Sequence, residues 1–491
     1  PGDVNNDQII DIVDIVMVVD IIFNGTVNAA VAGVQSLTID AGTGSVYFNA
    51  AVGTTAALNS LDLIGSEIDF TGGASSITGT SILLKTPQNT DSIGIAGAAG
   101  TLDLSLADIA ALSDGFSSIT IGNLAGQHAI VVNAVSFSDP VTIRSPAGGS
   151  ITVNGQITGT GDASVTFTGP GTGATLNAGI VTAGGVISIN EPVTIGAAVG
   201  LDTTNAGGVP AGADITISGA VNGGFDLSLT AGAGTVGVGT AGGVTPLTSF
   251  TVVSSTASTL SDVIGTTGVI SVTGTTINLG GTSYLSNDGA ITFTGAVDLT
   301  GAGLVTIDSN ANTDGTDGAI SITGAVSDTG ANSSLTIYAD TDTVGIANSV
   351  TNGALTVTGS TLNLNGTTYT TTAANATFAG AVVLGANAAV NTGGGNILFG
   401  SGSTVNGGFT LSLTAGAGNV GVGAAGGVTP LTSFTVVSST TATLLDVIVT
   451  TGVISVTGTT INLGGTSYLS NDGAITLTGA VDLTGAGLVT I

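Results

Sequence analysis

From about residue 30 onward the chain alternates apolar and polar residues with a period of two. Between Gly289 and Ile307, the residues Ile291, Phe293, Val297, Leu299, Val305 and Ile307 share one parity. Thr292, Thr294, Asp298, Thr300 and Thr306 share the other. Successive side chains of a strand point to opposite faces, so this pattern predicts half-buried strands of about four to six residues. The phrases close on glycine, as at Gly295, Gly301, Gly324 and Gly359, because a tight corner needs the positive φ that glycine accepts.

The phrase returns at Ser164–Gly169, Asp214–Gly219, Val269–Gly274, Gly318–Gly324 and Ala354–Gly359. Ile187 to Ile215 is a step of 28 residues (215 − 187), and Gly289 to Gly318 a step of 29 (318 − 289). Steps of roughly 20–30 residues are those in which solenoids wind. At roughly 25 residues per coil, residues 30–491 predict about 18 coils stacked at about 4.8 Å. The alternative is a string of tandem β-sandwich domains, which wants a bulky aromatic core and proline-bearing loops. With no Trp and nine Pro in 491 residues, the parallel β-solenoid is the expected fold.

Residues 1–25 break the pattern. A polar loop leads into an apolar run, Ile12 to Phe23, which reads as a short helix stopped by Asn24-Gly25. It is the only helix the sequence predicts. Because it is apolar almost all round, it is expected to be buried, as a lid on the first coil or as a plug entering another subunit. A duplication overlies the array: residues 221–307 and 405–491 align without gaps at an offset of 184 (405 − 221), with eight differences in 87 positions. The first residue, Pro1, suggests a processed chain, and the pattern stops at Ile491 without a cap. These two ends lead to an expectation of head-to-tail self-assembly, residues 1–25 of one subunit covering the coil Gly473–Ile491 of the next.

Composition narrows the function. Two Lys plus Arg (Lys85 and Arg144) stand against 31 Asp plus Glu, a formal net charge of −29. Nucleic acids and anionic membrane surfaces both need basic residues, so neither is an expected partner. The most apolar stretch, Ile9 to Phe23, is too short to span a bilayer and carries Asp11, Asp14 and Asp20. Dispersed acid suits an extracellular protein that attracts divalent cations. Catalysis has little to draw on: His128, Lys85 and Arg144 stand apart, and nothing pairs a nucleophile with a base, so the chain is not expected to be an enzyme.

The most specific chemical signal is the N-terminal loop. Asp3, Asn5, Asp7, Asp11 and Asp14 occupy positions 1, 3, 5, 9 and 12 of a twelve-residue window, with the carbonyl of Ile9 at position 7. Calcium takes six to eight oxygens from a flexible loop, and this spacing wraps them round one ion. Gly2-Asp3-Val4-Asn5-Asn6-Asp7 through Asp14 resembles one calcium-binding half of a dockerin module, with Gln8 where that family has glycine. The resemblance implies calcium at Asp3, Asn5, Asp7, Asp11 and Asp14. A second oxygen-rich loop holds Asp308, Asn310, Asn312, Asp314 and Asp317, either as a weaker calcium site or as Asx turns.

Thr-x-Thr pairs (Thr166/Thr168, Thr292/Thr294, Thr356/Thr358, Thr476/Thr478) look similar in small part to the ladders of solenoid ice-binding proteins, a remote alternative. Over most of the chain the glycine-closed phrase resembles the β-strand-repeat and filamentous-haemagglutinin-like surface proteins of bacteria. That resemblance implies a secreted right-handed β-helix used for adhesion or surface architecture. The expected role is an extracellular structural protein that polymerises with itself into a filament, sheath or surface layer stabilised by calcium. The alternative is an adhesin rod that binds cell-surface components, a mat or a mineral.

Overall fold

The computed structural model describes residues 19–88, 90–123, 129–145, 147–313, 315–330, 332–400 and 402–491. The described residues are nearly all β, and their parallel coils stack into a β-solenoid of about 21 turns. Two compact units are present: Pro1–Gly239 with Ser254–Thr256, and Thr240–Val253 with Ala257–Ile491.

In the first unit the coils from Ala129 onward contribute strands to three parallel columns. One column runs Ser118–Ile121, Val141–Arg144, Val165–Thr168, Ile187–Ile189, Ile215–Ile217 and Thr235–Val238. Its inward positions repeat like upon like. Ile119, Val141, Val165, Ile187, Ile215 and Val236 stack in register, and none is more than 2% exposed. Full burial of each such side chain is worth about 1.5–3 kcal/mol. The column also explains why coil lengths vary: Val141 to Val165 is 24 residues (165 − 141), whereas Ile187 to Ile215 is 28 (215 − 187). The register is kept, and the longer coil carries an outward loop held by the Asp202 carboxylate. That carboxylate accepts from Thr204 N–H (2.6 Å) and Ala206 N–H (2.8 Å).

In the second unit Ile270 pairs with Ile291, and Ile291 with Ile320, the 29-residue step (320 − 291) seen in the sequence. Ile291, Phe293, Val297, Leu299, Val305 and Ile307 are all buried, as the alternation predicts. The strand does not stop at Gly295. It runs Ile291–Leu299 and bends there, where the pairing slips between Thr273 and Thr276. Gly295 has φ 137°, and a Cβ added to it would lie 1.8 Å from the Gly274 carbonyl oxygen.

The duplicated segment repeats this local structure. Ile454–Leu463 pairs with Ile475–Leu483 in the same register as Ile270–Leu279 with Ile291–Leu299, and Gly479 takes φ 143°. A buried tyrosine recurs as well. Gly281 N–H donates to the Tyr284 hydroxyl (3.0 Å), which donates to the Leu260 carbonyl (3.0 Å). Tyr468 does the same with Gly465 (2.9 Å) and Leu444 (3.0 Å), and Tyr369 with Gly366 (2.9 Å) and Ile346 (3.2 Å). Burial pushes the Tyr369 hydroxyl up to about 12.

Two expectations are corrected. The end of the predicted helix is a strand: Ile21–Phe23 pairs parallel with Ser45–Phe48, and the rings of Phe23 and Phe48 stack at 4.7 Å. A short apolar run is locally ambiguous, and pairing with a coil 25 residues on (46 − 21) decides it. The earlier part of that helix lies outside the described residues. The second concerns residues 405–491, whose gapless alignment with residues 221–307 predicts the same burial for Ile475, Leu477, Val481, Leu483, Val489 and Ile491. Ile475, Leu477 and Val489 are half-buried, while Val481 (42%), Leu483 (66%) and Ile491 (62%) are exposed. In the first copy the corresponding coil is covered by Ile320–Ile322 and Val326–Asp328; here no described coil covers it.

Replacing Gly295 with alanine forces an L-residue into a strained φ against a carbonyl oxygen, at a cost of about 3 kcal/mol. Because stability in a stacked array is local, amide exchange should accelerate across Ile270–Leu279 and Ile291–Leu299 while distant coils stay protected. Unchanged exchange in both strands would show that the bend does not depend on glycine.

Candidate functional site

The coil regularity is broken once among the described residues by an α-helix, Leu106–Ala111. Ser105 caps it. The Ser105 hydroxyl accepts from Asp108 N–H (3.3 Å), and the Asp108 carboxylate accepts from Ser105 N–H (2.9 Å) and from the Ser105 hydroxyl (2.6 Å). This is a reciprocal capping box. Asp108 is 3% exposed and also accepts from Phe70 N–H (2.8 Å), which fastens the helix to the neighbouring coil. Two hollows adjoin the helix, and both are lined by Ile109, Ala110 and Ser136. One, of about 370 Å³, is bordered by Leu106, Val135 and Gln156; the other, of about 330 Å³, by Leu112, Asp114, Ser138 and Thr160.

The second groove lies beside three carboxylates. Asp114, Asp139 and Asp162 come from successive coils, 25 and 23 residues apart (139 − 114 and 162 − 139), and their ligand oxygens lie within 4.8 Å of one another. Asp139 is fully buried between two exposed partners. Its carboxylate accepts from Gly115 N–H (2.8 Å) and the Ser138 hydroxyl (3.3 Å). Burial raises the Asp139 carboxyl above the usual range, the charges of Asp114 and Asp162 add to the rise, and the two hydrogen bonds oppose it. A proton or a hard cation would relieve this crowding.

A looser acidic group surrounds the helix cap. Burial pushes Glu67 up to about 7, aided by the charges of Asp69, Asp103 and Asp108.

The sequence-predicted sites fare differently. Asp3, Asn5, Asp7, Ile9, Asp11 and Asp14 lie outside the described residues, as do Asp314 and His128. In the second loop the side chains face different coils. Asp308 accepts from Asn310 N–H (2.8 Å), Asn312 donates to Asp288 on the coil before (3.0 Å), and Asp317 accepts from Thr341 N–H on the coil after (2.9 Å). Asn310 is 3% exposed, and its side-chain oxygen has no partner. Of the threonine pairs, Thr356 stands in an unbroken outward file, Thr306, Thr336, Thr356 and Thr377, in register. The parallel file reads Asp308, Tyr338, Thr358 and Ala379, so a two-rank threonine array does not extend across these coils.

The acidic triad was missed in the sequence because unequal coil lengths hide the column. The Ser105-x-x-Asp108 capping box was a legible signal for the helix. No helix among the described residues is long and apolar enough to cross a membrane. No protein family, curated protein or solved structure matches this chain. The likenesses to dockerins and to bacterial β-strand-repeat proteins therefore rest on the residues quoted for them.

Because the folded state holds the Asp139 proton more tightly than the unfolded chain does, this group favours folding at low pH. That contribution is lost as pH rises above the ordinary carboxylate value of 3.8. Asp139→Asn, which keeps an acceptor for Gly115 N–H, should flatten the decline in melting temperature with rising pH relative to the parent protein. Parallel pH profiles for the two would show that Asp139 does not carry the effect.

Proposed function

We propose that this chain is an extracellular structural protein, a solenoid whose work is to extend and to present a repeated surface in a filament, sheath or surface layer. The observation that carries the reading is the additivity of the coil. Two 87-residue segments, 221–307 and 405–491, fold with matching strand register, corner glycines and buried tyrosine contacts. A chain that duplicates whole coils without altering them varies length rather than chemistry. The formal charge of −29 with two basic residues supports an extracellular setting rich in divalent cations. In this reading calcium is held by Asp3, Asn5, Asp7, Ile9, Asp11 and Asp14 and orders residues 1–25, and subunits associate with one another through their coils.

A second reading, an adhesin rod, draws on the corners of the duplicated segment. Phe409 (37% exposed) and Val428 (84%) project from adjoining corners, joined by Val428 N–H to the Asn406 side chain (3.0 Å). Their counterparts Phe225 (45%) and Val244 (86%) are exposed as well. Apolar side chains offered twice in the same way suit a repetitive ligand.

Electron microscopy of the full chain with and without calcium tests the first reading. Ordered filaments or sheets should form in calcium and disperse on chelation, and Asp3→Ala with Asp7→Ala should prevent their formation. Dispersed monomers at every calcium concentration would refute self-assembly. If such monomers coat a cell or mineral surface, and Phe409→Ser with Val428→Ser abolishes the coating, the adhesin reading replaces it.

A further inference from the structure

One corner of the first unit encloses polar atoms that nothing in the coil satisfies. Glu191, between the strands Ile187–Ile189 and Val193–Ile195, is 0% exposed, and neither carboxylate oxygen has a hydrogen-bond partner. Ser145, at the end of Val141–Arg144, is also 0% exposed with an unpartnered hydroxyl. The two converge on Gly171. A Cβ at that glycine would lie 2.3 Å from Ser145 Oγ and 3.2 Å from Glu191 Oε2, so both oxygens lie close to one point beside the Gly171 backbone, where only glycine fits. The surrounding run Gly169-Pro170-Gly171-Thr172-Gly173 places three glycines at this corner, two of them in positive φ.

Leaving buried oxygens without a hydrogen-bond partner is costly, and more so when the group carries a charge. No basic side chain contributes to the electrostatics of Glu191; burial alone pushes its carboxyl up, to about 7. Protonation would cancel the charge but, with no partner in reach of Glu191, would leave a buried O–H and a buried carbonyl oxygen unsatisfied. A water would donate twice and leave the charge uncompensated. A hard metal cation serves all three oxygens and cancels the charge, and carboxylate with hydroxyl is an oxygen donor set suited to calcium.

We propose that Glu191 and Ser145, brought together beside Gly171, form a buried binding site for one hard metal cation of the calcium type, separate from the N-terminal loop. The site lies inside the stack, so its ion locks three successive coils together rather than serving exchange with solvent.

Crystals of the full chain grown at pH 8 in millimolar calcium, measured at long wavelength, test this directly. An anomalous peak should appear between Ser145 Oγ and Glu191, at about 2.3–2.6 Å from the carboxylate oxygens, and should vanish in Glu191→Gln. In solution at pH 8, calcium should raise the melting temperature of the parent protein more than that of Glu191→Gln. Chelation should erase that difference or reverse it. No peak, or a peak at hydrogen-bonding distance that behaves as water, overturns the proposal. Equal calcium shifts in parent and variant overturn it as well, and because the parent crystal is informative by itself, the test does not depend on the variant folding.

Discussion

Backbone hydrogen bonds between parallel coils hold each residue directly over its equivalent one turn earlier. Everything else in the chain is arranged around that constraint. A parallel neighbour is displaced by about 4.8 Å, so whatever occupies an inward position is repeated at that spacing along the column. Columns of Ile, Val and Leu satisfy this, as in the file from Ile119 to Val236, and so do aromatic rings in short stacks, as with Phe23, Phe48 and Phe70. Extra residues cannot enter a column without breaking the register, so they leave as outward loops. Corners, where backbones of adjacent turns come closest, admit little beyond glycine at positions such as Gly295 and Gly479.

The same constraint converts sequence distance into chemistry. Residues one coil apart become neighbours, so acids placed at one coil position gather without any local motif, as Asp114, Asp139 and Asp162 do. In a chain with 31 acids and two bases, such columns are seldom neutralised by a partner side chain. The energetic burden falls on hydrogen bonds from backbone N–H groups, on protonation, and on cations. Glu191 is the extreme case: it has burial without any of the hydrogen bonds that Asp139 receives.

What the sequence discloses follows from how local each feature is. Alternation of apolar and polar residues is read over a few positions, so the faces of Ile291, Phe293, Val297 and Leu299 were legible, as was the 28-residue step from Ile187 to Ile215. Ile21–Phe23 was misread because an apolar run this short fits helix or strand, and its choice is made by Val46–Phe48 on the next coil. The helix Leu106–Ala111 carried a readable cap, but its six residues are hard to notice in an alternating background. The triad and the Glu191 corner were invisible, because neither unequal coil lengths nor the close approach at Gly171 can be counted along the chain.

Distances between spin labels test the stacked register most directly, since the chain has no cysteine of its own. Thr120, Thr142, Thr166, Ser188, Thr216 and Gly237 occupy one outward file in successive coils. Labels on cysteines at 120 and 216 span four coil steps, about 19 Å, and labels at 120 and 237 span five, about 24 Å. Two narrow distributions separated by about one coil spacing are the predicted result. Broad distributions, or a separation that does not grow with each added coil, would contradict a parallel in-register solenoid.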